Sequence, residues 1–339
     1  MNIKEYKTAL NMIKNKVIAI VYTFQNENWE EKYYDPWKGD VIADWTRAIY
    51  EIECVPYVID FESFAQKAFN NFLPKIDFVI NLNNGSKDLS SLGLVPSICS
   101  YLNIPCLPSK AETLLMGENK FVSNCLAEAF GLKIPKYLSD NDPNGIIRPN
   151  SSGSSKGIHL GNVKDSQNDL HQEFIKGFDM TISFMYNPLK SGLSIVSPIM
   201  YVPNNNNINW HLGDKQKESR NEYSKQSAKI NNNFAALLEK YAQTYFSINS
   251  LCRIDTRVKC DRNEDIFYYS NHIIEQDRIY FLEINPLPTI KEGINFANAL
   301  ESVDENSDFK KCRSYFNEVF EDNSITSFIL STLMLSLSV

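Results

Sequence analysis

The run Phe281-Leu282-Glu283-Ile284-Asn285-Pro286-Leu287-Pro288 ends an apolar strand in an acid and, two residues on, an amide oxygen. Residues i and i+2 of a strand face the same way. A carboxylate and an amide oxygen on one face, with Pro286 and Pro288 stopping the strand, form hard oxygen donors suited to Mg²⁺ beside phosphate groups. An earlier run, Leu251-Cys252-Arg253-Ile254-Asp255-Thr256-Arg257-Val258, supplies a second carboxylate and by the same period puts Arg253, Asp255 and Arg257 on one face. Alone, either strand reads as salt-bridged surface. Together with two further segments they point to phosphoryl chemistry.

The first is Ile146-Ile147-Arg148-Pro149-Asn150, continuing through Ser151, Ser152, Gly153, Ser154, Ser155, Lys156 and Gly157 to Ile158. It predicts two strands joined by a small-residue turn. Such a turn lets backbone N–H groups approach a phosphate, and Arg148 can hold an anion with a two-pronged fork. The same composition also suits a flexible linker. The second segment, His171 to Asp179, predicts a short extended stretch, a turn at Gly177 and a new strand from Met180 to Met185. An extended stretch can offer N–H and C=O groups to a purine edge while an acid holds ribose hydroxyls. Any edge strand would look alike.

Elements able to position these residues follow from periodicity. The first third alternates strands and helices: Lys16 to Tyr22, a helix opened by Asp40, Val55 to Asp60, a helix from Glu62, Asp77 to Asn81, and a helical stretch through Tyr101. That alternation predicts an open parallel sheet with helices on its faces. Asn103 to Ser109 is an extended connector, after which Asn119-Lys120-Phe121 opens a helix running to Phe130 and closed by Gly131. Lys133 to Val202 reads as short strands and turns, Asn204 to Asn209 as a loop tip, and Asn221 to Phe246 as one long helix.

At 339 residues, 43% apolar and 22% charged, the chain is ordinary globular material with room for a cleft. Its net charge of −7, without a block of basic residues and interleaved aromatics, argues against a nucleic-acid partner. Seven cysteines without CxxC or Cys/His clustering suggest reduced thiols and a cytoplasmic setting. The stretch Met1 to Lys16 has no continuous apolar core of a signal peptide. The apolar run Ile325 to Val339 is punctuated by Ser and Thr and falls short of the ~20 residues of a spanning helix, so a helix packed on the body is expected and no membrane partner.

In order, these pieces resemble the ATP-grasp superfamily, and within it the D-alanine:D-alanine ligase branch. The resemblance covers Asn103 to Ile290. It is carried by Arg148-Pro149 followed by Gly153-Ser154-Ser155-Lys156-Gly157-Ile158, by Gln172-Glu173-Phe174-Ile175-Lys176-Gly177 with Asp179, by Arg253-Ile254-Asp255, and by Glu283-Ile284-Asn285-Pro286 with Pro288. It implies an α/β chain, α+β in the ATP-binding part, in which residues 1–108 form an N-terminal open parallel-sheet domain. Residues 109–202 would form the central subdomain with a phosphate loop, and 203–339 the C-terminal subdomain with the metal ligands.

The resemblance also implies roles. Lys120 would hold the ATP α-phosphate, Arg148 would stand where the family usually has a second phosphate lysine, and Ser154 and Ser155 belong to the loop that closes over the phosphates. Gln172 would take the place of an acid reading the adenine amino group, the backbone of Glu173 and Ile175 would complete that edge, and Asp179 would hold the ribose. Asp255 and Glu283 would bind one Mg²⁺ and Glu283 and Asn285 a second, with Mn²⁺ as a substitute. Arg253 would stabilise the oxyanion at the acyl centre, and Lys215, with Lys217 beside it, would reach the terminal phosphates. The implied activity is an ADP-forming ligase joining a small carboxylate to an amine through an acyl phosphate, in a homodimer.

The substrate regions depart from the pattern. D-alanine ligases carry a Gly/Ser loop with a glutamate after the first strand and a His-Gly stretch after the third, whereas here the chain continues as Thr23-Phe24-Gln25 and as Asn81-Leu82-Asn83-Asn84-Gly85. Pro288-Thr289-Ile290-Lys291 lacks the family's Pro-Gly-Met-Thr and its serine. Trp29 to Trp37 either recognises an acceptor or packs on the body. Three readings stand at this point: a carboxylate–amine ligase of other specificity, a D-alanine:D-alanine ligase with diverged loops, and a nucleotide-binding sensor or scaffold without catalysis. A carrier protein as the acceptor also stays open.

Overall fold

The computed structural model describes residues 1–23, 39–83, 89–139, 142–151, 155, 157–161, 163–164, 166–211, 222–291, 295–321 and 324–337. Its N-terminal sheet runs in the order β2-β1-β3-β4, with β1 Val17–Tyr22, β2 Val55–Asp60, β3 Phe78–Leu82 and β4 Cys106–Leu107, all parallel. The central strand β1 is a continuous apolar run because both faces of a parallel sheet are covered. Ala19, Val21 and Val79 pack with Phe64, Val95 and Ile98 on one face. On the other, Ile18, Ile20 and Ile80 meet Trp45 and Ile49 of helix Gly39–Glu51 and Leu330 and Leu333 of the C-terminal helix Ile325–Ser336.

That last helix is buried along its length despite its serines and threonines. Each hydroxyl has a partner: Thr326 Oγ1 donates to Asp44 at 2.6 Å, Ser327 to Glu51, and Ser331 and Thr332 to the Phe328 carbonyl at 2.9 and 2.8 Å. Buried polar groups are tolerated when they are so bonded. Among the described residues no helix is long and apolar enough to cross a membrane.

A three-stranded antiparallel sheet, β6-β5-β7, follows, with β5 Gly145–Arg148, β6 His159–Leu160 and β7 Leu170–Glu173. The largest sheet is antiparallel in the order β10-β9-β8-β12-β14, built from β8 Gly177–Asn187, β9 Gly192–Pro203, β10 Tyr223–Ser227, β12 Leu251–Lys259 and β14 Ile279–Asn285. A two-stranded ribbon pairs β11 Lys229–Ile230 with β13 Ile273–Ile274. Helices Asn232–Phe246 and Lys120–Ala129 cover the large sheet around Phe234, Leu238, Tyr241 and Ala127.

The large sheet runs across the expected division after Val202, which falls inside β9, and the chain passes from the small sheet to the large one at Phe174–Gly177. The long helix from Asn221 is shorter. Tyr223–Ser227 pairs with β9 as a strand, because its polar sequence lacks a helical apolar stripe and β9 offers an open edge, and the helix starts at Asn232 behind the cap Asn231. Asn204 to Asn209 is a turn with Asn204, Asn205 and Asn209 exposed, and Ile208 within it is buried: its carbonyl accepts from Gly177 N at 2.7 Å and its N–H donates to Asn263 at 3.3 Å. A helix at Ala111–Glu118, absent from the sequence reading, precedes the Lys120 helix.

Leu333 joins the C-terminal helix to the N-terminal sheet and is 1% exposed. Leu333→Ala is expected to lower unfolding free energy by roughly 2–5 kcal/mol, read from denaturant midpoints; a loss under ~1 kcal/mol would mean this helix is not part of the common core.

Candidate active site

The acids meet because β12 and β14 are antiparallel neighbours. Asp255 lies directly opposite Glu283, and Arg253 opposite Asn285. Directly opposed residues on one sheet face have Cβ atoms ~5 Å apart. A register shift at Asp255/Thr256 leaves Leu282 between the Glu283 and Phe281 pairs, and its carbonyl accepts from Asn124 Nδ2 at 2.8 Å and Arg148 Nη1 at 3.4 Å. Such a bulge re-aims groups beside a site.

Each carboxylate is matched by cations from other positions. Arg253 grips Asp255 through Nε, at 2.9 and 3.2 Å, and Nη2, at 2.7 Å, while Thr181 donates to the same carboxylate at 2.8 Å. Burial opposes the Arg253 charge, but Asp255 outweighs it and holds the guanidinium above its ordinary pKa. Glu283 takes Arg148 Nη2 at 3.0 Å and Lys120 Nζ at 3.4 Å.

Lys120 and Arg148 are positioned by local capping. Lys120 opens its helix behind Asn119, whose side chain accepts from Val122 N at 3.0 Å. Asn150, just after β5, accepts from Lys120 N at 3.0 Å and Phe121 N at 2.8 Å, so the start of the helix is pinned to the strand that carries Arg148. Ser155 and Gly157, with φ of 62° and 71°, turn the chain back towards β6 and bring Ser155 to the cleft.

The opposite wall is the link from β7 to β8. Gln172 Nε2 donates to Asn124 at 3.1 Å and Pro135 O at 3.4 Å, and its Oε1 accepts from Arg148 at 3.3 Å. Glu173 accepts from Lys136 N at 3.0 Å. The Ile175 carbonyl accepts from Arg257 Nε. Gly177 has φ of 146°, and a Cβ there would sit 1.8 Å from the Val258 carbonyl oxygen, so only glycine lets the link lie against β12. Asp179 pairs with Arg257 at 2.9 Å. His211 stands edge-on to Phe174, and burial holds its imidazole below the ordinary histidine value against the opposing pull of Asp179.

One cleft is lined by Lys120, Arg148, Ser155, Gln172, Glu173, Ile175, Asp179, Arg253, Asp255, Glu283 and Asn285, which are all the described residues expected there. Ser154, Lys215, Lys217 and the stretch from Trp29 to Trp37 lie outside the described residues. The sequence reading gave no site role to Glu118, Thr181, His211 or Arg257. Strand period places Arg257 on the Asp255 face, but the signal for its partners lies in other segments.

The donor set fits Mg²⁺: two carboxylates opposed across the strands and the Asn285 side-chain oxygen two residues from Glu283, all hard oxygens. Among the described residues no cluster of three His, Cys, Asp or Glu side chains forms, so the third protein donor would be the amide. Asn285 Oδ1 accepts from Leu287 N at 3.0 Å, and the acids hold Arg253, Arg148 and Lys120.

No family model matches the chain. The D-alanine--D-alanine ligase of Petrotoga mobilis (strain DSM 10674 / SJ95) is 25% identical over 243 residues, covering 66% of this chain and 74% of that protein. D-alanyl-alanine synthetase A from Vibrio cholerae O1 biovar eltor str. N16961 superposes with a TM-score of 0.61 at 13% identity, over 96% of this chain and 100% of that one. A putative ATP-grasp superfamily protein from Archaeoglobus fulgidus gives 0.50 at 14% identity, over 81% and 82%. At these identities the structural likeness is one of fold.

Glu118 supplies a further carboxyl to the cleft wall. Its pKa is raised first by burial, with Glu283 adding and Lys120 and Arg253 opposing. A raised carboxyl contributes stability below the unfolded value of about 4.3 and loses it as pH rises through the folded value. Glu118→Gln is therefore expected to gain in Tm relative to the native chain as pH rises from about 4 to 8. Thermal melts of both across that range check it, and parallel curves would refute the shift.

Proposed function

We propose that this ATP-grasp chain, similar to the D-alanine:D-alanine ligases, is an ATP-dependent, ADP-forming ligase that joins a small carboxylate to an amine. The observation that carries the reading is the pairing of Asp255 with Glu283 across β12 and β14, with Asn285 beside them and Lys120, Arg148 and Arg253 converging on the same acids. A phosphoryl-transfer site needs little covalent chemistry from the protein; it needs charge placed around the transferring group.

Asp179 would take the ribose, the Ile175 N–H the base edge, and Lys120, Arg148 and Ser155 the phosphates. Asp255, Glu283 and Asn285 would hold Mg²⁺, which when bound neutralises charge on the phosphates. The substrate carboxylate oxygen attacks the γ-phosphorus and ADP leaves, giving an acyl phosphate. The amine, having lost a proton, attacks the acyl carbon, Arg253 stabilises the oxyanion, and phosphate leaves as the C–N bond is completed. Until then water must be excluded, because hydrolysis of the acyl phosphate wastes the ATP. Homodimerisation and a cytoplasmic setting are proposed on the family likeness.

The test is Mg²⁺-dependent ADP release across L- and D-amino acids and simple acids, singly and in pairs, with mass spectrometry of the products. One pair is expected to stimulate release and yield a dehydrated adduct; D-alanine alone doing so would make the activity that of a D-alanine:D-alanine ligase. Nucleotide binding with no release for any acceptor, a carrier protein included, would overturn the ligase. Glu283→Gln is expected to cut turnover by more than about 100-fold, the scale already lost on removing groups that only support metal ligands, and full retained activity would sink the assignment.

A further inference from the structure

Arg257 occupies a position that the phosphate chemistry leaves unused. It is 4% exposed, and its guanidinium meets acceptors from two separate stretches of chain, 175–179 and Trp210. Nε donates to the Ile175 carbonyl, Nη1 to Asp179 Oδ1 at 2.9 Å, and Nη2 to the Gly177 carbonyl at 3.1 Å and the Trp210 carbonyl at 2.6 Å. Its Cζ lies 4.8 Å from the centroid of the Phe174 ring, and that ring makes a T-shaped contact with His211. Phe174, Ile175, Asp179, His211 and Arg257 all line the cleft.

A buried guanidinium is costly unless its donors are paired, and here one carboxylate and three carbonyls do so. A lysine cannot reproduce the arrangement, because its point charge has no fork to reach acceptors on separate segments. Deleting the arginine would free the Ile175 carbonyl, release the Trp210–His211 backbone and remove the Arg257 charge from Asp179. All three changes fall on the wall that would meet the nucleoside, while the carboxylate pair at Asp255 and Glu283 has its own cations.

We propose that Arg257 is a positioning residue for the nucleoside half of the nucleotide, holding the base edge and the ribose carboxylate in one register. The inference rests on the nucleotide-binding reading above. Its signature is selective: recognition of ribose and base depends on Arg257, and recognition of the phosphate chain does not.

The experiment is calorimetric titration of the native chain and Arg257→Met with ADP, 2′-deoxy-ADP, 3′-deoxy-ADP and inorganic tripolyphosphate, alongside thermal melts. The native chain is expected to favour ADP over the deoxy forms. Arg257→Met is expected to weaken ADP by about 10-fold or more, the scale of a lost charged hydrogen bond, to lose the preference for ribose hydroxyls, and to keep tripolyphosphate affinity within about 2-fold. Arg257→Lys is expected to fail as a rescue. If Arg257→Met does not fold, Arg257→Gln, which keeps a neutral donor but neither the fork nor the charge, is read in the same way. Unchanged ADP affinity with a lower Tm, or equal weakening of ADP and tripolyphosphate, would overturn the positioning role while leaving nucleotide binding intact. A native chain that binds none of these ligands would overturn the nucleotide reading itself.

Discussion

Two carboxylates set directly opposite each other on adjacent strands repel, and the rest of the site is organised around that repulsion. Asp255 and Glu283 are such a pair. Arg253 neutralises one from two residues away on its own strand, whereas Glu283 draws Lys120 from a helix and Arg148 from the small sheet. Arg253, Lys120 and Arg148 offset that repulsion. On the proposed reading, the same cations would serve phosphates when a metal is held by the acids.

The surrounding architecture serves this charge balance. Asn150 ties the start of the Lys120 helix to the end of β5, so Lys120 and Arg148 are held to the same small sheet. The bulge at Leu282 turns its carbonyl to Asn124 and Arg148, which orients the guanidinium further. Across the cleft the Gly177 crossing and the Arg257 cage hold the opposite wall against β12. The Asp255–Glu283 end of the cleft and the Asp179 end are therefore held by separate groups of charges.

Strand chemistry was the most legible part of the sequence. The period of two in Arg253-Ile254-Asp255 and Glu283-Ile284-Asn285 is a local property, and the alternation of apolar strands and helices in the first third needed no partner to be read. The strand Tyr223–Ser227 was illegible because its formation depends on the open edge of β9, which no local pattern announces. Asn204 to Asn209 was legible as an exposed turn, but the burial of Ile208 within it depends on bonds to Gly177 and Asn263 that no local pattern announces.

By itself the sequence determined which residues could carry phosphates and a hard cation, because side-chain type and strand period are set within a few residues. Only the tertiary structure decided that Asp255 faces Glu283, that Lys120 and Arg148 share one carboxylate, and that Arg257 gathers Ile175, Gly177, Asp179 and Trp210. The physical reason is distance along the chain. Burying a charge requires a partner, and the partners here come from segments whose proximity is created by strand pairing and core packing rather than by any local preference.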